Sequence, residues 1–154
     1  MVRTVALVVH IATGVAGLVL GPVALVTTLR HHRFDWTGEA YHGSVLVVTA
    51  TAVVLTFFDW SGLWWFVPIA AASYAFALLG YLSAKRRWPR WRPTHVRGQG
   101  GAYIALWTAV LVVSANDYPV LWFVPVVVGT PLVELVSHRL ARREVTPGTG
   151  PTRP

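Results

Sequence analysis

The chain contains no cysteine, which excludes disulfides, thiolate metal centres and cysteine nucleophiles. Charge is scarce as well. Only 12% of the 154 residues are Asp, Glu, Lys or Arg, and 55% are hydrophobic, whereas soluble domains carry roughly 25% charged residues. A water-soluble globule of this size would lack the polar surface to cover itself. Lysine is nearly missing, with a single Lys85 against twelve arginines, a usage that fits a bacterial genome of high GC content. Enzyme signatures are absent too: no phosphate-cradling glycine loop, no HExxH and no serine nucleophile elbow. Residues 98–101, GQGG, follow no strand pattern and do not make a nucleotide fingerprint; beside basic residues, they point to an anionic headgroup instead.

What remains is long apolar runs separated by short charged ones. A helix needs about 20 apolar residues to cross a bilayer, and five such spans are predicted, over about 4–29, 41–58, 63–84, 98–115 and 120–140. Arg30-His31-His32-Arg33 ends the first, which is too long for a signal-peptide core and is expected to be retained. Asp59-Trp60-Ser61-Gly62 and Asn116-Asp117-Tyr118-Pro119 form tight turns. In the basic loop 85–97, two prolines and dense charge are expected to stop any helix. The domain is predicted to run over 1–141, with a Pro/Gly/Thr-rich disordered tail over 142–154.

The net charge is +7. Nucleic acid is not the expected partner, because the basic residues border apolar spans. With the N-terminus outside, twelve of the 13 Lys/Arg fall on the cytoplasmic side and only Arg3 lies outside, while both external turns carry an aspartate. The positive-inside rule then selects N-out/C-in. Seven of the eight tryptophans fall at span boundaries as two aromatic belts, leaving Trp107 deep. The expected setting is a bacterial inner (plasma) membrane, with the bilayer itself as first partner.

Several residues inside the spans call for an explanation. His10, Gly14, Gly17 and Gly21 recur at helical spacing on one face, a packing groove for a second helix and a candidate dimer face. Pro22 should kink that helix. His42, Thr49 and Thr56 share a face of the second span, Tyr74 and Tyr81 one of the third, and Ser73, Ala77, Gly80 and Ala84 form a strip of small residues. Glu134 lies about 6 Å inward of the centre of its span, inside a hydrocarbon half-thickness of about 15 Å. Its expected partner is His138, one turn on, with His10, Thr49 or Thr56 from other helices as further members of the site. This Glu134, His138 and His10 set is the candidate polar site: a structural acid, or a proton or cation site beside the helix-weakening Pro125, Gly129 and Pro131. His42 and His95 fall at similar depth on two helices, which suits bis-histidine ligation of one b-type haem. Arg86, Arg87, Arg90, Arg92 and Arg97 form a basic surface for anionic lipid headgroups or a partner, when they do more than set topology.

The stretch 97–134, with its lead His95, carries His95, Gly98, Gly101, Tyr103, Ile104, Ala105, Leu106, Thr108 and Ala109, then an Asn/Asp-plus-Pro turn and a Gly-x-Pro-Leu step at 129–132. Together with residues 34–53 it resembles a group of small bacterial multi-pass membrane proteins of unknown function. The resemblance implies an integral membrane protein and names no activity. The expectation is therefore an all-α, five-helix membrane bundle. Its role is an accessory or transporter-like one, with a membrane redox protein binding haem as the alternative, and a homodimer or partner subunit as possible company.

Overall fold

The computed structural model describes residues 1–31, 35–115 and 117–145. Those residues form six α-helices and no strand: α1 (Val2–His31), α2 (Trp36–Thr56), α3 (Trp60–Leu63), α4 (Phe66–Lys85), α5 (Trp91–Ser114) and α6 (Val124–Val145), with a 3₁₀ turn over Pro119–Phe123 before α6. Five stretches are long and apolar enough to cross a membrane, the fifth running Pro119–Arg142 through the 3₁₀ turn. The all-α bundle read from the sequence is the observed fold.

The boundaries depart from the sequence reading where local chemistry allows a helix to go further. α5 begins at Trp91, seven residues before the predicted start. Pro93 does not prevent this, because it sits in the first turn, where the N–H it lacks has no intrahelical acceptor. Pro68 is placed the same way in α4. In place of the predicted turn at 59–62, Asp59 stands at the N-cap position and residues 60–62 belong to the one-turn helix α3. At the other end of the chain, α6 continues to Val145, into the predicted tail. Residues 32–34, Asn116 and residues 146–154 lie outside the described residues.

The helix ends follow from specific groups. Asp35 caps α2: its Oδ1 accepts from the Thr37 and Gly38 amides at 3.2 and 3.4 Å and from the Thr37 hydroxyl at 2.6 Å. Partial burial pushes the Asp35 carboxyl up, and the hydrogen bonds from Thr37 and Gly38 outweigh it, so it is held below the ordinary value of 3.8. α4 closes with the Trp88 amide donating to the Ser83 carbonyl at 3.2 Å, with Arg87 at φ 49°. That left-handed position is normally glycine. Arg90, at φ 58°, adopts the same region before α5.

α1, α2, α4 and α5 close a ring, each touching the next and α1 touching α5, while α6 packs chiefly on α5. Consecutive long helices are antiparallel, so one end of the bundle, here the basic end, collects Lys85, the α4–α5 arginines, Arg139 and Arg142. Asp59 and Asp117 lie at the other. The centre is built from Ala24, Tyr41, Val45, Ala77 and Ala102. Small residues dominate because lipid supplies no hydrophobic force between helices, and close van der Waals contact must hold them. The tightest contact joins α4 to α5. A Cβ on Gly98 would lie 2.4 Å from the Gly80 backbone nitrogen. Large apolar side chains such as Val8, Val15, Val19 and Phe76 point outward, toward acyl chains.

Candidate functional site

Two polar clusters occupy the basic half of the bundle. The first joins α5 to α6. The Arg97 guanidinium holds the Glu134 carboxylate as a fork, Nε to Oε1 at 3.0 Å and Nη2 to Oε2 at 2.8 Å, the bidentate geometry in which arginine is strongest. His138 Nε2 stands 3.6 Å from Glu134 Oε2, one turn further along α6. His138 thus stands within ion-pair distance of Glu134, as the sequence reading expected, and the hydrogen-bonding partner that reading did not name is Arg97. Arg97 in turn is no simple member of the basic loop surface. It belongs to α5. At 1.5 Å per residue, Glu134 lies about 5 Å to the basic side of the midpoint of its membrane-crossing stretch, and Arg97 about 8 Å from the midpoint of its own. Both side chains are nonetheless close to half exposed, at 43% and 46%.

The second cluster joins α2 to α4 and contains residues that the sequence reading passed over. Lys85 Nζ donates to Glu39 Oε1 at 2.8 Å, and the Tyr81 hydroxyl donates to Glu39 Oε2 at 3.0 Å. Lys85 also donates to the Tyr81 hydroxyl. His42 stacks on Tyr81 with centroids 4.1 Å apart, and its Nε2 lies 3.5 Å from the Tyr74 hydroxyl. A sequence signal for both clusters exists. α2 and α4 fold back about the turn near residue 61, which sets 39 opposite 85 and 42 opposite 81. α5 and α6 fold back about residue 116, which sets 97 opposite 134.

His10 is not part of either cluster. Its Nδ1 lies 3.0 Å from the Val48 carbonyl and 3.1 Å from the Thr51 hydroxyl, toward the opposite end from Glu134. A carbonyl only accepts, so Nδ1 carries the proton. Thr49 and Thr56 bond their own helix, at the Val45 and Val53 carbonyls, and do not reach Glu134. The glycine face of α1 is consumed inside the chain: Gly14 meets Val48, Gly17 meets Leu106 and Ser44, and Gly21 meets Tyr103 and Tyr41. A second copy would have to use another surface.

His42 and His95 reach α4 on different faces. His95 is fully buried, with Nδ1 donating to the Gly80 carbonyl at 2.9 Å inside the close α4–α5 contact. His42 is held by Tyr74 and Tyr81. A haem between them would have to displace both sets of contacts. The GQGG segment is likewise occupied by packing, with Gly98, Gln99 and Gly100 buried, so it does not reach a headgroup. Gln99 Nε2 donates to the Gly21 carbonyl at 2.9 Å. Of the basic loop, Arg86, Arg87 and Arg90 are exposed, and Arg92 lies over the Trp91 ring at 5.7 Å.

Pro22 leaves the Leu18 carbonyl without its helical donor. The Tyr103 hydroxyl supplies the missing hydrogen bond from α5 at 3.2 Å, so the carbonyl freed by Pro22 is satisfied from within the bundle. Beside it, α1 and α6 stand apart over α5 and leave a lateral groove of about 520 Å³, walled by Pro22 and Leu25 on one side and Val128 and Leu132 on the other, with Tyr103 and Trp107 on its floor.

No protein-family model, no curated protein and no solved structure matches the chain.

Proposed function

We propose that this chain is a small transporter-like or accessory bundle of the plasma membrane, in which Arg97, Glu134 and His138 form a proton- or cation-responsive site. One observation carries the reading: a bidentate ion pair bridges α5 and α6 within their membrane-crossing stretches. Charges at such depth are costly and are by default candidates for function. The chemistry follows from the pairing. A proton arriving on Glu134 removes the acceptor that Arg97 holds, and His138, 3.6 Å away, is a second base at the same carboxylate. α6 leans chiefly on α5, so a change of charge at this seam acts on the least anchored helix of the bundle.

The test is flux in reconstituted liposomes carrying an internal pH dye. Wild-type protein should dissipate an imposed pH gradient faster than empty liposomes, and Glu134→Gln should return the rate to that of empty liposomes. Flux that is absent, or that survives Glu134→Gln, ends the transport reading and leaves the accessory one. Insertion N-out/C-in is part of the proposal and rests on the basic end being the cytoplasmic one. Because the chain has no cysteine, single Ser61→Cys and Arg86→Cys variants can be probed with an impermeant thiol reagent. Labelling of the first alone in intact cells supports the orientation. The likeness to small bacterial multi-pass membrane proteins of unknown function is compatible with this proposal and adds no activity to it.

A further inference from the structure

We infer that the groove between α1 and α6 is a binding site for one anionic phospholipid, whose acyl chain lies along α5 and whose phosphate meets Arg97 and Arg139. The groove follows α5 from Gln99 to Leu111, about 18 Å at 1.5 Å per residue. Measured from the midpoint of the α5 membrane-crossing stretch, the groove runs from about 5 Å on the basic side to about 13 Å on the other, so a chain that enters from the basic end, through a leaflet about 15 Å deep, fills its nearer part and carries its tip past the midplane. The walls are apolar. The polar groups beneath them, the Gln99 amide and the Tyr103 hydroxyl, already donate to α1 carbonyls, which leaves van der Waals contact as what the groove offers.

The choice of occupant follows from the same residues. Helices pack in membranes through small residues, and the glycines here are already covered. A Cβ on Gly21 would strike Tyr103, one on Gly100 would strike Val133, and one on Gly129 would strike Ile104. What the groove presents outward is Trp107, Val128 and Leu132, each more than a third exposed, a surface for a flexible chain more than for a second helix. Charge selects the headgroup. Continuing the groove stripes toward the basic end reaches Arg97, seven residues before Ile104, and Arg139, seven after Leu132, on the same helical faces. Arg139 is exposed and is the nearer free choice for a phosphate. Arg97 already holds Glu134 but carries donors beyond the two that face it. This inference goes beyond the proton-responsive reading and does not depend on it.

Trp107 lies in the groove and reports on it. Protein in phosphatidylcholine vesicles receives a small mole fraction of phosphatidylglycerol or phosphatidylcholine brominated on the acyl chain, and the Trp107 contribution is isolated by difference against Trp107→Phe. Brominated phosphatidylglycerol should quench Trp107 at several-fold lower mole fraction than brominated phosphatidylcholine. Arg139→Gln should reduce that preference by about fivefold, the weight of one surface arginine toward anionic lipid. Arg139→Gln leaves the α5–α6 ion pair in place, so it separates lipid selection from folding, and Val128→Phe should weaken quenching by filling the groove. Equal quenching by the two lipids would mean bulk lipid only and would overturn the proposal, as would a preference untouched by Arg139→Gln. Quenching by neither lipid would mean that another helix, from a second copy or a partner, covers the groove, and would overturn it too. Failure of the proton-flux experiment would leave all of these outcomes readable.

Discussion

Gly98→Ala is the most demanding test of how the bundle is held together. The added carbon would lie 2.4 Å from the Gly80 backbone nitrogen, 2.6 Å from its Cα and 2.7 Å from the Phe76 carbonyl oxygen, whereas ordinary contact begins at 3.4 Å. All three obstacles are backbone, so no side chain can swing aside, and α4 and α5 must part by about 1 Å. Overpacking of this kind costs roughly 1–3 kcal/mol. The His95 bond to the Gly80 carbonyl, 2.9 Å long, sits in the same contact. Stretched by that amount it is lost, at about another 1–3 kcal/mol for a buried polar pair. Alanine returns up to about 1 kcal/mol through helix propensity. The net expectation is a loss of roughly 2–4 kcal/mol, read as a fall in melting temperature of about 5–15 °C for a chain of this size. Thermal unfolding of the detergent-purified protein, followed by circular dichroism, measures it. Gly43→Ala is the control, since nothing lies within 4 Å of a Cβ there, and it should melt at or slightly above the wild type. A Gly98→Ala protein as stable as the wild type would refute the close α4–α5 contact.

Three further outcomes are expected. Tyr103→Phe should cost about 1 kcal/mol in the presence of Pro22 and less in a Pro22→Ala background, where Leu18 regains a helical donor; a double-mutant cycle with no coupling would separate Tyr103 from the gap left by Pro22. Arg87→Gly should raise stability by roughly 1 kcal/mol, because it relieves a left-handed residue at the end of α4; a fall in melting temperature would count against that geometry. Asp35→Ala should cost about 1 kcal/mol at pH 7. Because folding lowers the Asp35 carboxyl from 3.8, the cap contributes fully above that value and its contribution is lost as the pH falls below it. The wild-type and Asp35→Ala melting curves should therefore converge at low pH, and a constant gap would contradict the capping role.

The sequence by itself determined the membrane class, the five apolar stretches long enough to cross and the strips of small residues, because each is written in local composition. A run of apolar residues long enough to span a bilayer has few other places to go. It also located Glu134 as the residue in need of explanation. It did not determine which neighbour answers that need. Apolar residues surround most of each span, so no stripe marks the inward face, and the rotation of each helix about its axis is left open. Only the tertiary structure fixed that rotation, by docking Gly80 against Gly98 and Gly21 under Tyr103. Once α5 was turned so that its glycines met α4 and α6, Arg97 was carried to Glu134, and His95 was turned into the α4 contact, away from His42. The groove has the same origin. It exists because α1 and α6 both pack on α5 without closing on each other, an order around the bundle that no single segment of the chain encodes.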